Sequence, residues 1–200
     1  MFLIPKNVKF IKSIFTYSKT KTNKKQFCFL GRSNVGKSSL INFLFNHKKL
    51  AYTGKKPGKT IALNLFEFSL GNQNYQFVDT PGYGYHLNSK TETKRFQNLM
   101  NDYLNKELNL KFFVLLLDIR RIDSKNDKMM LQFLIKTQKP ILIFFTKIDK
   151  LSKTKINLNL KLIKKFLNLD TKIEFVLTSS LKKINRQVCL DLIAKNLLKN

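Results

Sequence analysis

Hydrophobic positions along the 200-residue chain follow two alternating patterns. Short apolar runs of strand length occur at residues 26–30, 111–117, 140–145 and 172–177. Between these runs lie longer stretches in which apolar residues recur every three or four positions, as they do on one face of a helix. Strands that alternate with helices at this spacing predict a doubly wound α/β domain that binds its ligand at the carboxyl ends of the strands.

Two further strands are predicted upstream of the run at 111–117. Residues 61–70 partly alternate between apolar and polar side chains. Gly71 and Asn72 then give a hairpin-turn signal, and residues 74–78 supply a second arm, so we expect two antiparallel neighbours. By contrast, the uninterrupted apolar run at 111–117 is typical of a strand buried on both faces of a parallel sheet.

Helices are predicted after the first strand and over residues 91–107, 125–137, 151–169 and 183–198. Asparagine and leucine alternate at 157–160, so the start of the helix at 151–169 stays open. The helix at 151–169 carries lysines between its apolar residues and is predicted to be basic and amphipathic. The predicted inward residues of the helices at 91–107 and 125–137 are Phe96, Leu99, Met100, Tyr103 and Leu104 in the first, and Met129, Met130, Phe133 and Leu134 in the second.

Residues 1–25 are expected to form an N-terminal extension to a domain that spans residues 26–200. Its apolar residues are numerous enough for it to dock on a surface: Val8, Phe10, Ile11, Ile14 and Phe15. The lysine-rich run at 19–25 is either a solvated linker or a contact to a phosphate backbone.

Residues 31–39, between the first strand and its helix, fit the phosphate-binding pattern G-x-x-x-x-G-K-[ST]. Two glycines let backbone N–H groups approach phosphate oxygens, and the helix N-terminus adds partial positive charge. Lys37 would reach the β- and γ-phosphates, and the Ser38 hydroxyl would ligate Mg²⁺. The expected phosphate-binding residues are Gly31, Arg32, Ser33, Asn34, Val35, Gly36, Lys37, Ser38 and Ser39.

A second element expected on the phosphate side follows the strand at 74–78, and consists of Asp79, Thr80, Pro81 and Gly82. Asp79 would hold Mg²⁺ directly or through water, and the N–H of Gly82 could contact the γ-phosphate.

Thr146-Lys147-Ile148-Asp149 ends the buried strand at 140–145 and predicts which base is bound. The Asp149 carboxylate can accept hydrogen bonds from N1–H and the 2-amino group of guanine, a pair of donors that adenine lacks. Lys147 can lay its stem on the base face. At the end of the next strand, beside Thr178, a backbone N–H of Ser179 or Ser180 could meet the guanine O6. Alone, the tetrapeptide could be an ordinary turn, but after two phosphate elements it favours GTP.

In this order the motifs resemble a translation-factor-class small GTPase, and more narrowly the bacterial EngB family (also called YsxC or YihA) among the TrmE-Era-EngA-EngB-like GTPases. The resemblance covers about residues 26–198 and is most specific at residues 57–60 and at Tyr83-Gly84-Tyr85. It departs at His86, where a small residue is expected, and at residues 182–185, where a glycine is expected.

The resemblance implies a P-loop NTPase fold, with a mixed, mostly parallel sheet and helices on both faces. It also implies a Mg²⁺-dependent GTPase that acts on the large ribosomal subunit and is needed for normal growth and division. The loop at 47–60 would then order with GTP. The resemblance adds Pro57, Gly58, Lys59 and Thr60 to the nucleotide-binding residues.

Hydrolysis is expected to depend on Lys37, Thr60 and Gly82, with Mg²⁺ held by Ser38, Thr60 and Asp79. Tyr83 stands where Ras-like enzymes carry a water-orienting glutamine, so we expect slow intrinsic turnover. Something else would complete the site, and K⁺ bound beside Asn34 is one candidate. Alternatively, Asn34 only shapes the loop.

The net charge of +26 favours a polyanionic partner, first an RNA-rich particle such as the large ribosomal subunit and second an anionic membrane surface. Codon bias toward A and T would also raise the lysine content. We expect a cytoplasmic monomer with buried Cys28 and Cys189, no DNA sequence specificity and no stable membrane anchor. The alternatives are a nucleotide-gated RNA-binding module with negligible hydrolysis and a membrane or division-site GTPase.

Overall fold

The computed structural model describes residues 4–17, 23–51, 62–84 and 90–199, except for four side chains between 90 and 96. Its strands are β1 (Lys6–Ile14), β2 (Gln26–Gly31), β3 (Leu63–Leu70), β4 (Gln73–Asp79), β5 (Leu110–Asp118), β6 (Ile141–Thr146) and β7 (Phe175–Leu177). Its α-helices are α1 (Lys37–Leu44), α2 (Lys90–Lys106), α3 (Lys125–Lys136), α4 (Lys153–Leu167) and α5 (Arg186–Leu198). No helix in these ranges is long and apolar enough to cross a membrane.

The seven strands found in these ranges form one mixed sheet in the order β1-β3-β4-β2-β5-β6-β7. Strands β4, β2, β5, β6 and β7 are parallel to one another, whereas β3 runs antiparallel to both β4 and β1. The predicted hairpin is confirmed, since Asn64 pairs with Asp79 at one end of the ladder and Leu70 pairs with Gln73 at the other. The predicted fold class is confirmed too.

Helices cover both faces of the sheet because the central strands are apolar on both sides. In β5, Phe112, Val114 and Leu116 pack with α1 and α5, while Phe113, Leu115 and Leu117 pack with α2, α3 and α4. The continuous apolar run at 111–117 therefore has the origin that its pattern predicts.

The N-terminal segment contributes the edge strand β1, which the sequence analysis did not predict. Ile14 is buried and Val8 packs against the core, but Phe10 and Phe15 are more than half exposed. The register with β3 shifts between Lys6 and Lys9 and again between Phe10 and Lys12. Each such irregularity moves the following side chains to the other face, which conceals the two-residue period from a pattern search.

The predicted inner face of α3 is partly wrong. Met130, Phe133 and Leu134 pack on the core as predicted, but Met129 is 67% exposed, and Leu131 and Asp127 are buried instead. The predicted face of α2 is correct at Leu99, Met100, Tyr103 and Leu104, and the side chain of Phe96 lies outside the described part of the chain. The open start of α4 is settled at Lys153, because the Ser152 hydroxyl accepts a hydrogen bond from the Lys155 N–H at 3.4 Å.

Candidate functional site

The candidate site lies at the carboxyl ends of the parallel strands, where the sequence places it. The phosphate-binding loop follows β2, Asp79 ends β4, Thr146 ends β6 and Thr178 follows β7. Because these strands are parallel neighbours in one sheet, their carboxyl ends meet at the same edge. Four segments that are distant in sequence are thereby brought together.

The phosphate-binding loop is held in shape by close packing and by long-range hydrogen bonds, among them one from the end of β6. A Cβ atom on Gly31 would lie 2.8 Å from Cγ1 of Val35, so that position has no room for a side chain. Gly36 has a φ of 101°, a left-handed conformation that favours glycine. The Thr146 hydroxyl donates to the carbonyl oxygen of Val35 at 2.8 Å, so the end of β6 fixes the position of the loop relative to the sheet.

Lys37 and Asp79 form a direct, nearly buried ion pair at the centre of the site. Lys37 begins α1, and Ser38 and Ser39 follow it in the first helical turn. The hydroxyl of Thr80 is buried against β2, where it donates to the carbonyl oxygen of Phe29 at 2.7 Å. Thr80 therefore ties the loop after β4 to β2, a role that the sequence analysis did not distinguish from ligand binding.

The oxygen donors at this point fit the chemistry of Mg²⁺. The carboxylate of Asp79 and the hydroxyl of Ser38 are hard oxygen ligands, and Mg²⁺ is usually held by one or two such protein groups together with substrate phosphates. Within the described ranges there is no group of three or more His, Cys, Asp or Glu residues that could hold a metal. A site with one carboxylate would not form such a group.

Gly82 lies directly against the phosphate-binding loop. A Cβ atom at this glycine would lie 2.7 Å from the backbone nitrogen of Ser33. The Ser33 N–H donates to the carbonyl oxygen of Tyr83 at 3.0 Å, and the Tyr83 N–H donates to that of Gly31 at 3.2 Å. Pro81 precedes this junction and is partly exposed. The two predicted phosphate elements therefore form one continuous surface.

Tyr83 points into the protein interior. Its ring is buried, and its hydroxyl donates to Oδ1 of Asp127 on α3 at 2.8 Å. Burial, reinforced by the charge of Asp127, raises the pKa of the Tyr83 phenol well above its usual value, so the hydroxyl stays a neutral donor. Ras-like enzymes carry a water-orienting glutamine at this position in the sequence. Here the hydroxyl of Tyr83 is instead bound to Asp127 of α3. His86 lies outside the described residues.

The predicted base-binding residues form a compact group between β6 and β7. The side chain of Asp149 is 5% exposed, and its Oδ1 accepts a hydrogen bond from the Ser179 hydroxyl at 2.6 Å. Lys147 has a φ of 63°, and its ammonium group donates to the carbonyl oxygen of Asn34. The stem of Lys147 thus joins the base-binding tetrapeptide to the phosphate-binding loop.

The segment after β7 is fixed by hydrogen bonds to its neighbours. The Thr178 N–H donates to the carbonyl oxygen of Phe145 at 2.8 Å, and the Thr178 hydroxyl donates to that of Ile184 at 2.8 Å. Ser180 comes next and is partly exposed. Ile148 is buried, so it supports the tetrapeptide from the core side.

Asp118 is a site residue that the sequence analysis did not assign. Its carboxylate accepts hydrogen bonds from Nε and Nη2 of Arg120 at 2.9 and 2.7 Å and lies 3.1 Å from Nζ of Lys147. Burial raises the pKa of Asp118, but the hydrogen bonds from Arg120 and Lys147 outweigh it and leave the pKa below its usual value. The rule that identified Asp79, an acidic residue at a strand end, applies equally to Asp118.

Four predicted nucleotide-binding residues lie outside the described ranges: Pro57, Gly58, Lys59 and Thr60. Their roles stay predictions, including that of Thr60 in metal binding and hydrolysis.

Comparison with known proteins identifies the family. Residues 26–147 match a family model described as 50S ribosome-binding GTPase. A probable GTP-binding protein EngB from Mesoplasma florum is 43% identical over 170 residues, which is 85% of each chain. The chain belongs to the EngB family of GTP-binding proteins. The predicted family resemblance is therefore confirmed, and with it the GTPase class.

Solved structures agree with this assignment at the level of the fold. The crystal structure of a probable EngB protein matches with a TM-score of 0.68 and 23% identity, covering 86% of this chain and 98% of that one. Era, solved in complex with MgGDPNP and a segment of 16S ribosomal RNA, matches with a TM-score of 0.72 and 24% identity, over 88% and 57% of the two chains. The fold of that EngB protein thus covers 86% of this chain.

Proposed function

We propose that this EngB-family protein hydrolyses GTP to GDP and phosphate as a nucleotide switch in the assembly of the large ribosomal subunit in the cytoplasm. We further propose that normal cell division needs this activity. The observation that carries the proposal is the joint placement of the Lys37–Asp79 pair, Gly82 and the Ser179–Asp149 pair at one sheet edge. One end of this surface suits phosphates, and the other suits a guanine base.

Each group has a distinct role in the proposed reaction. Lys37 would neutralise charge on the transferred phosphoryl group, and Ser38, Asp79 and Thr60 would hold a Mg²⁺ ion that supplies further positive charge there. The Gly82 N–H would contact the γ-phosphate. Because the Tyr83 hydroxyl is held by Asp127, it does not orient water, and slow intrinsic turnover is the expected result.

Asn34 is the proposed partner of a K⁺ ion beside the phosphates. Its φ of 63° is a left-handed conformation within the phosphate-binding loop, and its carbonyl oxygen accepts from Lys147. We expect faster turnover in KCl than in NaCl at equal ionic strength, and we expect Asn34→Ala to remove the difference. Equal rates of the wild type in the two salts would show that Asn34 only shapes the loop.

The proposed partner is ribosomal RNA in the large subunit. The family model is described as 50S ribosome-binding, and the structural neighbour Era was solved with a ribosomal RNA segment. The charge of this chain suits such a partner: α4 carries five lysines and no acidic residue, namely Lys153, Lys155, Lys161, Lys164 and Lys165. Three of the acidic residues, Asp79, Asp118 and Asp149, lie instead at the candidate nucleotide site.

Sedimentation with purified ribosomal subunits tests this proposal. We expect co-migration with large subunits in the presence of a non-hydrolysable GTP analogue, weaker co-migration with GDP, and a steep loss as salt rises. Small subunits and duplex DNA of matched charge are the controls. Binding that is indifferent to the nucleotide would contradict the switch, and failure to bind large subunits would contradict the partner.

A further inference from the structure

A buried hydrogen bond connects the loop after β4 to helix α3. The Tyr83 hydroxyl donates to Oδ1 of Asp127 at 2.8 Å, and the two residues are only 8% and 4% exposed. A carboxylate so far from solvent is costly unless it is hydrogen-bonded, so the contact fixes the two side chains strongly relative to each other.

The backbone of Tyr83 is fixed just as firmly at the other end. Its carbonyl oxygen accepts from the Ser33 N–H at 3.0 Å, and its N–H donates to the carbonyl oxygen of Gly31 at 3.2 Å. The preceding Gly82 packs on Ser33 so closely that no Cβ atom fits between them. The position of Tyr83 therefore sets the distance between Gly82 and the phosphate-binding loop.

Helix α3 holds Asp127 rigidly from its own side. The Ser124 hydroxyl caps α3 by accepting from the Asp127 N–H at 3.3 Å. The same hydroxyl oxygen accepts from Nη1 of Arg32 at 3.2 Å, and Arg32 belongs to the phosphate-binding loop. Next to this contact, a Cβ atom on Gly84 would lie 2.7 Å from the side-chain nitrogen Nδ2 of Asn126. The loop after β4 is thus enclosed between the phosphate-binding loop and the first turn of α3.

We propose that Asp127 is a positioning residue for the γ-phosphate contact. By accepting a hydrogen bond from the Tyr83 hydroxyl, it holds Gly82 in the position from which the Gly82 N–H distinguishes GTP from GDP. The inference rests on the proposed role of Gly82. Asp127 itself does not touch the nucleotide, because it lies beneath Tyr83 in the interior. Because the Gly82 N–H would contact only the γ-phosphate, we expect the effect of Asp127 to be largest on steps that involve the third phosphate.

The test compares affinities for GDP and for the analogue GDPNP, together with single-turnover hydrolysis, in the full-length chain. The variants are Asp127→Leu, which removes the acceptor, Asp127→Asn, which keeps an acceptor oxygen, and Tyr83→Phe, which removes the donor. Gln132→Ala, at an exposed position of α3, is the control. Thermal melting reports on stability separately.

We expect Asp127→Leu and Tyr83→Phe each to weaken GDPNP binding and slow hydrolysis by about tenfold, the effect of one buried hydrogen bond to a charged group. GDP affinity should stay within about twofold, Asp127→Asn should restore most of the loss, and the double variant Tyr83→Phe/Asp127→Leu should be no worse than either single variant. Gln132→Ala should behave as the wild type.

Equal weakening of GDP and GDPNP, or additive losses in the double variant, would overturn the inference and leave Asp127 with a role in stability alone. Unchanged GDPNP affinity and hydrolysis in folded variants would overturn it as well. If Asp127→Leu does not fold, Tyr83→Phe and Asp127→Asn decide between the same outcomes. A wild type that hydrolyses GTP but binds ribosomal subunits regardless of nucleotide would contradict the proposed switch. It would not change the ratio of GDPNP to GDP affinity, on which the role of Asp127 is tested.

Discussion

Asp149 is the residue on which the proposed choice of base depends. The Ser179 hydroxyl fixes one of its oxygens, so the carboxylate has a defined orientation in its buried position. Guanine presents two donors to such a group, whereas xanthine presents one donor and one acceptor.

Asp149→Asn should therefore lower GTP affinity by roughly 100-fold and raise the affinity for xanthosine triphosphate, since the amide nitrogen can donate to the xanthine C2 oxygen. Competition binding with both nucleotides measures this. Asp170→Asn, at an exposed acidic position, is the matched control and should change neither affinity. Parallel losses for both nucleotides would mean that Asp149 supports the fold and does not read the base.

Asp118 gives the protein a pH-dependent part of its stability. Hydrogen bonds from Arg120 and Lys147 keep the pKa of Asp118 below its usual value in spite of burial, so the folded state holds the proton less tightly than the unfolded chain does. This contribution is present above the unfolded pKa of about 3.9 and is lost as the pH falls through the lower folded pKa.

We expect Asp118→Asn to cost about 1–2 kcal/mol near neutral pH, and we expect the difference from the wild type to shrink below about pH 4. Urea unfolding of both proteins at pH 7, 5, 4 and 3 measures it. A difference that is the same at every pH would show that the carboxylate charge does not contribute.

At the scale of single elements, the hydrophobic pattern predicted most strands and helices but not their orientation in every case. Buried strands such as β5 and β6 are continuous in apolar residues and bounded by polar ones, so their positions follow from the sequence. The face of α3 was found only in part: Met130, Phe133 and Leu134 pack on the core as predicted, but a polar residue, Asp127, also lies on the buried side. The long-range partner Tyr83 accounts for the burial of that carboxylate. Likewise, irregular pairing with β3 concealed β1.

The corrected face of α3 makes opposite predictions for two neighbouring residues. Leu131→Ala should destabilise the fold by about 2–4 kcal/mol, because it leaves a cavity under the helix. Met129→Ala, at an exposed position, should change the free energy of unfolding by less than about 0.5 kcal/mol. Urea denaturation of the two variants measures this difference. Similar losses of unfolding free energy in both variants would mean that Met129 is buried, as the sequence predicted.

At the scale of the whole molecule, the nucleotide site was predictable because its parts follow parallel strands. Once β2, β4, β6 and β7 are aligned, the motifs at their carboxyl ends must meet. The supporting contacts were not predictable in the same way: the hydrogen bond of Thr80 to β2, the Asp118–Lys147 pair and the Tyr83–Asp127 bond depend on side-chain directions that periodicity does not give.

Net charge is also a property of the whole molecule. The bound nucleotide can control RNA binding by the basic surface only if the nucleotide site and the RNA-binding surface are coupled. If the GTP-bound protein binds large subunits more tightly, then large subunits must tighten GTP binding by the same factor. This reciprocity separates a switch from a basic protein that simply adheres to RNA.

The most direct measurement is therefore the ratio of affinities for the GTP analogue and for GDP, with and without saturating large ribosomal subunits. A nucleotide switch predicts that the subunits raise the ratio by about 5- to 150-fold, the usual range for coupled sites, and that the same factor appears in subunit binding. An unchanged ratio in the presence of bound subunits would contradict the proposed switch.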